Sequence, residues 1–268
     1  MELNEGAIRF GVFLLIFSVM ALWEMMAPRR VGSQYRQHRW TTNLSLVVID
    51  GIVVRIAIPI TAVWTADFAN AHNIGLLNFF EIPPLAGILI AFVLLDLAIW
   101  LQHFASHKIP ILWRLHAVHH ADIDVDVTTG IRFHPFEILL SMLWKLAIVL
   151  ALGAPAIIVF VFEVVLNASS IFNHANVKLP RALDFWLRLL VVTPDMHRVH
   201  HSVIPEETDS NYGFNLSIWD RLFGTYRTDP MGGHTHMILG LDDHQNEEPV
   251  RLGWSLLLPF RGIFRKRS

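Results

Sequence analysis

The sequence predicts an all-α integral membrane helical bundle, of about four spans or three plus a membrane hairpin, carrying a cytosolic helical cap rich in histidine. Three observations predict it. The 268-residue chain is 53% hydrophobic and only 16% charged, against roughly 25% charged residues in an ordinary soluble domain. Its apolar residues gather into runs long enough to cross or enter a hydrocarbon core of about 30 Å. Eight of its fifteen histidines fall into three clusters among those runs, His103-x-x-x-His107, His116-x-x-His119-His120 and His197-x-x-His200-His201.

The first run, Phe10 to Trp23, carries no charge and is flanked by Arg9 and Glu24. Neither a basic leader nor a small-residue cleavage site accompanies it, so it reads as a retained span rather than a signal peptide. The second, Leu44 to Trp64, is interrupted by Asp50 and Arg55, which are expected to pair with each other or with neighbours. The third, Ile82 to Leu101, delivers the chain directly to His103. Two later segments, Ile138 to Leu152 and Ala156 to Phe172, are joined by Gly153-Ala154-Pro155. So short a joint, made of helix-breaking residues, predicts a tight antiparallel hairpin. Residues 1–268 therefore read as one membrane domain.

Loop charges orient the spans. Arg29, Arg30, Arg36 and Arg39 separate the first two runs, whereas Thr65 to Glu81 contains no Lys or Arg, which predicts a cytoplasmic location for the former segment. Counting spans from there brings all three histidine clusters, and the basic tail Arg261 to Arg267, to the same cytoplasmic face.

The absence of cysteine excludes disulfides, thiolate metal sites and iron–sulfur clusters. A net charge of −2, with no basic groove and interleaved aromatics, gives no nucleic-acid footprint. Histidines three or four apart on a helix stand one turn above each other, with Cβ atoms about 6 Å apart, so both can reach one metal or two adjacent ones. Eight imidazoles exceed what one tetrahedral zinc can take, and two metals are the economical reading. Imidazole suits zinc, copper, iron and nickel alike.

The three clusters, with Trp113-Arg114-Leu115 before the second and Asp195-Met196 before His197, resemble the fatty acid hydroxylase / sterol desaturase superfamily of membrane di-iron oxygenases. Arg132-Phe133-His134-Pro135-Phe136-Glu137, Asn173-His174-Ala175-Asn176, Asn211-Tyr212-Gly213 and the stretch from Trp219 to Tyr226 agree with it. The similarity runs over residues 96–243, the expected catalytic region. It implies a centre of two iron ions, with zinc as a conceivable substitute, that activates O2 to hydroxylate or desaturate a lipid. The resemblance adds His174 as a ninth ligand and His134 as a candidate tenth, with a surface position in a loop before Pro135 as the rival for His134.

A nearly all-nitrogen ligand set leaves metal charge uncompensated, so nearby acids are expected to orient the rings and offset that charge. Asp96 lies seven residues before His103, about 10 Å along the helix, where it can bond a histidine of another cluster or serve as a polar residue near the helix end. Glu163, Asn167, Ser170 and His174 share one helical face, making Glu163 a second candidate. Asp122, Asp124 and Asp126 read as a solvated run that sits near enough to affect the site, the segment from Trp219 to Gly224 as a helix ended by glycine, and Gly232 to His236 as a cap loop. With no dinucleotide fingerprint, electrons are expected from a separate reductase, ferredoxin or cytochrome. The rivals are a zinc-dependent membrane lipid hydrolase, disfavoured by the lack of His-Glu-x-x-His, and a non-catalytic metal-binding or metal-transport protein, which predicts ligands spread along several spans.

Overall fold

The computed structural model describes residues 2–80 and 82–261. Every regular element among them is helical, with three isolated antiparallel bridges. Fourteen α-helices follow in order: α1 (Glu2–Met26), α2 (Arg36–Ala57), α3 (Ala62–Ala71), α4 (Leu76–Phe79), α5 (Pro84–Lys108), α6 (Pro110–His120), α7 (Pro135–Leu152), α8 (Ala156–His174), α9 (Arg181–Leu187), α10 (Pro194–His200), α11 (Pro205–Thr208), α12 (Ile218–Leu222), α13 (Gly233–His236) and α14 (Leu252–Leu257). The first residue of the predicted basic tail, Arg261, is described; the rest of the tail, 262–267, lies outside the described residues.

Three long helices, α1, α2 and α5, stand with the α7–α8 pair as the apolar bundle, which realises the arrangement of three spans plus a hairpin. The protein is an integral membrane protein. Bulky apolar side chains cover the outer faces, among them Phe10, Leu15, Ile52, Leu89 and Leu143, as lipid contact requires. Inside, small residues let the helices approach closely: Ala66 and Ala91 are fully buried beside Leu95, Val149, Val159 and Phe162. Without a hydrophobic drive between helices in lipid, such close packing supplies much of their association.

Proline sets several helix starts. Pro84, Pro110, Pro135 and Pro194 occupy the first helical turn of α5, α6, α7 and α10, where the missing N–H costs nothing. Ile109 ends α5 and begins α6, so the helices that carry the first two histidine clusters join at a single residue. The hairpin turns at Gly153, whose φ of 64° is left-handed. A Cβ there would come within 2.4 Å of the Ile74 carbonyl oxygen, because the α3–α4 corner is packed against the hairpin tip.

That corner differs from expectation. Leu44 to Trp64 is not one helix: Pro59 forces Ile58 into an extended conformation at φ −131°, and the chain restarts as α3, which packs on α7 and α8. Asp50 and Arg55 form no ion pair, and the buried Asp50 Oδ1 lacks a hydrogen-bond partner among the described residues. Gly233 to His236 forms one helical turn rather than a loop.

The largest correction concerns the three aspartates. Asp122 and Asp126 are buried, not solvated, because Arg39 of α2 reaches them. Its guanidinium donates to Asp122 Oδ1 at 2.5 Å, Asp122 Oδ2 at 2.9 Å and Asp126 Oδ2 at 2.9 Å, and also to the Asp124 carbonyl. Asn43, Thr128 and Thr129 complete the network around the same carboxylates. Arg39 is thus an internal strut rather than a loop charge. Burial alone would raise the Asp122 carboxyl, but the Arg39 charge beside it holds it below the usual range.

Arg39→Met leaves two buried carboxylates uncompensated, and removing one partner of such a buried network costs roughly 3–5 kcal/mol. Thermal unfolding in detergent is expected to show a large drop in midpoint for this variant, and little change for Thr41→Ala, whose hydroxyl bonds only to the Gln37 carbonyl on the exposed face of the same helix.

Candidate metal centre

The three clusters converge at one end of the bundle, opposite the hairpin tip. His103 and His107 sit on the last two turns of α5, His116, His119 and His120 on α6, His174 at the end of α8, and His197 and His200 on α10, with His201 just after it. Nine histidines form two adjoining groups. His103, His107, His116, His120 and His200 make one, and His119, His174, His197 and His201 the other; within each, the candidate ligand nitrogens lie within 4.8 Å of one another.

Helical geometry explains this division. Residues four apart share a face while their immediate neighbour points about 100° away. His116 and His120 therefore serve one group and His119 the other; His197 and His201 serve the second and His200 the first.

The outer nitrogens are held by fixed acceptors. His103 Nδ1 donates to the Tyr212 carbonyl at 2.7 Å, His200 Nδ1 to that of Ser210 at 2.7 Å, His174 Nδ1 to that of Ser170 at 2.6 Å and His119 Nδ1 to that of Arg132 at 3.1 Å. His116 Nδ1 donates to Glu137 Oε1 at 2.6 Å. Carbonyl and carboxylate oxygens accept only, so each proton sits on Nδ1 and each Nε2 presents a lone pair.

Those lone pairs face each other. Nε2 of His103 and Nε2 of His116 are 3.1 Å apart, as are those of His119 and His174. With both protons committed outward, neither pair can form a hydrogen bond. Two nitrogens bound at right angles to one first-row metal, at about 2.1 Å each, would lie about 3 Å apart. Both nitrogens of His120 and of His201 are also buried without a hydrogen-bond partner among the described residues, a costly state unless a cation satisfies them. The donor set fits two metal ions.

Electrostatics agree. Burial, and then the neighbouring imidazoles, push His119, His120, His197 and His201 well below the usual histidine value of 6.5. These rings are neutral at pH 7, the protonation state a metal ligand needs.

The structure sets three candidates apart. His134 joins neither group: it caps the N-terminus of α7, its Nδ1 accepting from the Phe136 N–H at 3.2 Å while its Nε2 lies 3.3 Å from the Leu256 carbonyl. Pro135 starts the helix and commits the preceding residue to the cap. Asp96 touches no histidine. It accepts from Asn215 Nδ2 at 2.9 Å, Trp219 Nε1 at 2.8 Å and the Leu216 N–H at 3.3 Å. With Asp220, which accepts from the N–H groups of Tyr212 and Gly213, it fixes the loop whose carbonyls hold His103 and His200. Glu163 is bound to Lys145 at 2.7 Å and Arg9 at 2.8 Å, well down α8 from His174.

Sequence reasoning missed Glu137 as a site residue, although it stands in the stretch from Arg132 to Glu137. A cavity of about 350 Å³ adjoins the first group. His103, His116, Glu137 and Phe133 line its metal end, and Met142, Leu166, Lys145 and Glu163 lie further in.

Residues 88–225, just over half of the chain, match the family described as fatty acid hydroxylase. The chain belongs to that family. The ornithine lipid hydroxylase of Rhizobium tropici is 27% identical to this fatty acid hydroxylase family member over 232 residues, spanning 84% of this chain and 68% of the relative. Alkylglycerol monooxygenase of Homo sapiens is 27% identical over 197 residues, 66% of this chain and 40% of that protein. Cholesterol 25-hydroxylase of Mus musculus is 25% identical over 148 residues, 55% of this chain and 49% of the relative. The chain thus spans less than half the length of the last two. No solved structure matches it. By their names these relatives are lipid hydroxylases and a monooxygenase, so the family favours an oxygen-dependent lipid oxidoreductase over a hydrolase or a metal carrier.

Two outcomes follow. Glu137→Gln keeps the shape but loses the charged acceptor for His116, and metal affinity is expected to fall about 10–100-fold in a competitive chelator titration. Because the buried histidines titrate below their unfolded value near 6.5, the unfolded chain takes up protons first on acidification. The stability of the metal-free protein is therefore expected to hold above pH 7 and to fall as pH drops below about 6.5, as followed by thermal unfolding.

Proposed function

We propose that the nine histidines His103, His107, His116, His119, His120, His174, His197, His200 and His201 hold two iron ions, and that residues 96–243 form the catalytic region of a membrane lipid hydroxylase. The observation that carries this reading is the pairing of facing Nε2 atoms at 3.1 Å, His103 with His116 and His119 with His174, the first of these pairs lining a cavity embedded among membrane helices. Gathering of the ligands at one end of the bundle speaks against a translocation path, which needs them spread along the spans.

In this reading two irons held by the nine histidines would supply O2 activation and the means to cleave an unactivated C–H bond. The protein supplies position and dryness. Ile99, Phe133, Ile138, Met142, Leu166 and Phe214 form the apolar walls that hold a lipid chain against His103 and His116, and their packing keeps bulk water from the reacting carbon. Glu137 and the four carbonyls hold the Nδ1 protons of five rings outward, so the inner nitrogens of those five remain available to metal. Hydroxylation is preferred over desaturation because the matched relatives are named hydroxylases and a monooxygenase.

The metal end is assigned to the cytoplasmic face. Arg29, Arg30 and Arg36 lie at that end, while residues 58–80 and the hairpin tip at the other contain no Lys or Arg, and lysine and arginine accumulate on the cytoplasmic side. Electrons then come from a cytoplasmic reductase, ferredoxin or cytochrome.

Lipid profiles of cells expressing the protein are expected to contain an oxygenated lipid that is absent both from cells without it and from cells expressing His200→Ala. Purified protein is expected to carry about two irons per chain and to consume O2 only when an electron donor is added. Full zinc occupancy, with activity surviving anaerobiosis, would overturn the oxygenase reading in favour of a hydrolase.

A further inference from the structure

The inner end of the cavity carries a charge arrangement that positioning an apolar chain does not require. Lys145 of α7 and Glu163 of α8 both line it and are joined at 2.7 Å. The second oxygen of Glu163 takes Arg9 of α1 at 2.8 Å. The side chains of Glu163 and Lys145 are only 10% and 14% exposed. One acid therefore serves two bases, and neither base pairs with another acid among the described residues, leaving a surplus positive charge inside the membrane domain. An uncompensated cation there is expensive and defaults to a functional role. Lys145 has three N–H donors and commits one of them to Glu163.

Distance separates this triad from the metal end. Glu137, which binds His116, lies eight residues before Lys145 on the same helix, about 12 Å along the axis. Glu163 lies eleven residues before His174, about 16 Å away. Ser141 and Asn167 continue a polar track between the two ends.

We propose that Lys145, backed by the Arg9–Glu163 pair, binds an anionic oxygen group of the lipid substrate, a carboxylate or a phosphate, at the inner end of the cavity. The C–H bond presented at His103 and His116 then lies well down the chain from that group. This rests on the cavity being the lipid site, and it specifies which lipids the site selects.

The test measures equilibrium binding of three probes of equal chain length, oleate, oleyl phosphate and oleyl alcohol, to the purified metal-loaded protein under nitrogen, where no turnover occurs. At least one anion is expected to bind about tenfold tighter than the alcohol, the effect of one charge-assisted hydrogen bond; which anion does so distinguishes carboxylate from phosphate. Lys145→Met is expected to erase the preference, Lys145→Arg to retain it and Glu163→Gln to enlarge it, at unchanged iron content. Should Lys145→Met fail to fold, Glu163→Gln alone decides, by enlarging the preference or not. Equal binding of all three probes, or a preference that survives Lys145→Met, overturns the proposal. Equal binding alongside an oxygenated cellular lipid removes this inference and leaves the hydroxylase reading standing, whereas anion selectivity without any oxygenated lipid does the reverse.

Discussion

The candidate metal centre depends on one constraint: the outer nitrogen of a buried imidazole must donate its proton to something that can only accept. Once Tyr212, Ser210, Ser170, Arg132 and Glu137 take those protons, the tautomer of five rings is settled and their lone pairs point inward. Crowded lone pairs repel, and the arrangement persists only because the surrounding helices over-determine it. The fold can be understood as the means of holding those five acceptors in place.

Three of the acceptors have supports of their own. The Tyr212 and Ser210 carbonyls belong to a loop pinned by Asp96 and Asp220. The Arg132 carbonyl is fixed because the Arg132 guanidinium spans Val118, Asn43, Pro249 and Ser255, and the segment before it is tied to α2 through Arg39. Glu24 at the end of α1 accepts from the Val127 and Asn176 N–H groups, binding the first span to the same layer. Buried ionic groups of this kind contribute little net stability in many proteins; here they fix the register of the elements that carry the histidines.

Much of this was legible in the sequence because helical spacing is local. The three clusters, the hairpin at Gly153 and the glycine after α12 all follow from residues within a few positions of each other. What was not legible depends on distant partners. The aspartates after the second cluster look solvated until Arg39, 83 residues before Asp122, is folded against them. Glu137 becomes a histidine partner only because α7 passes beside α6. Asp96 supports His103 at one remove, through a loop more than a hundred residues later. His134 differs in kind: Pro135 beside it signals a helix start, and a helix start claims the preceding side chain as its cap.

The division of each His-x-x-His-His cluster between the two groups makes the pair of sites a linked binding system. Seven-residue α10 is far too short to hold its own helical form in water, so an ion held by His197 and His201 would also set the orientation of His200 for the other position. By thermodynamic reciprocity, whatever the first ion contributes to the second, the second returns to the first.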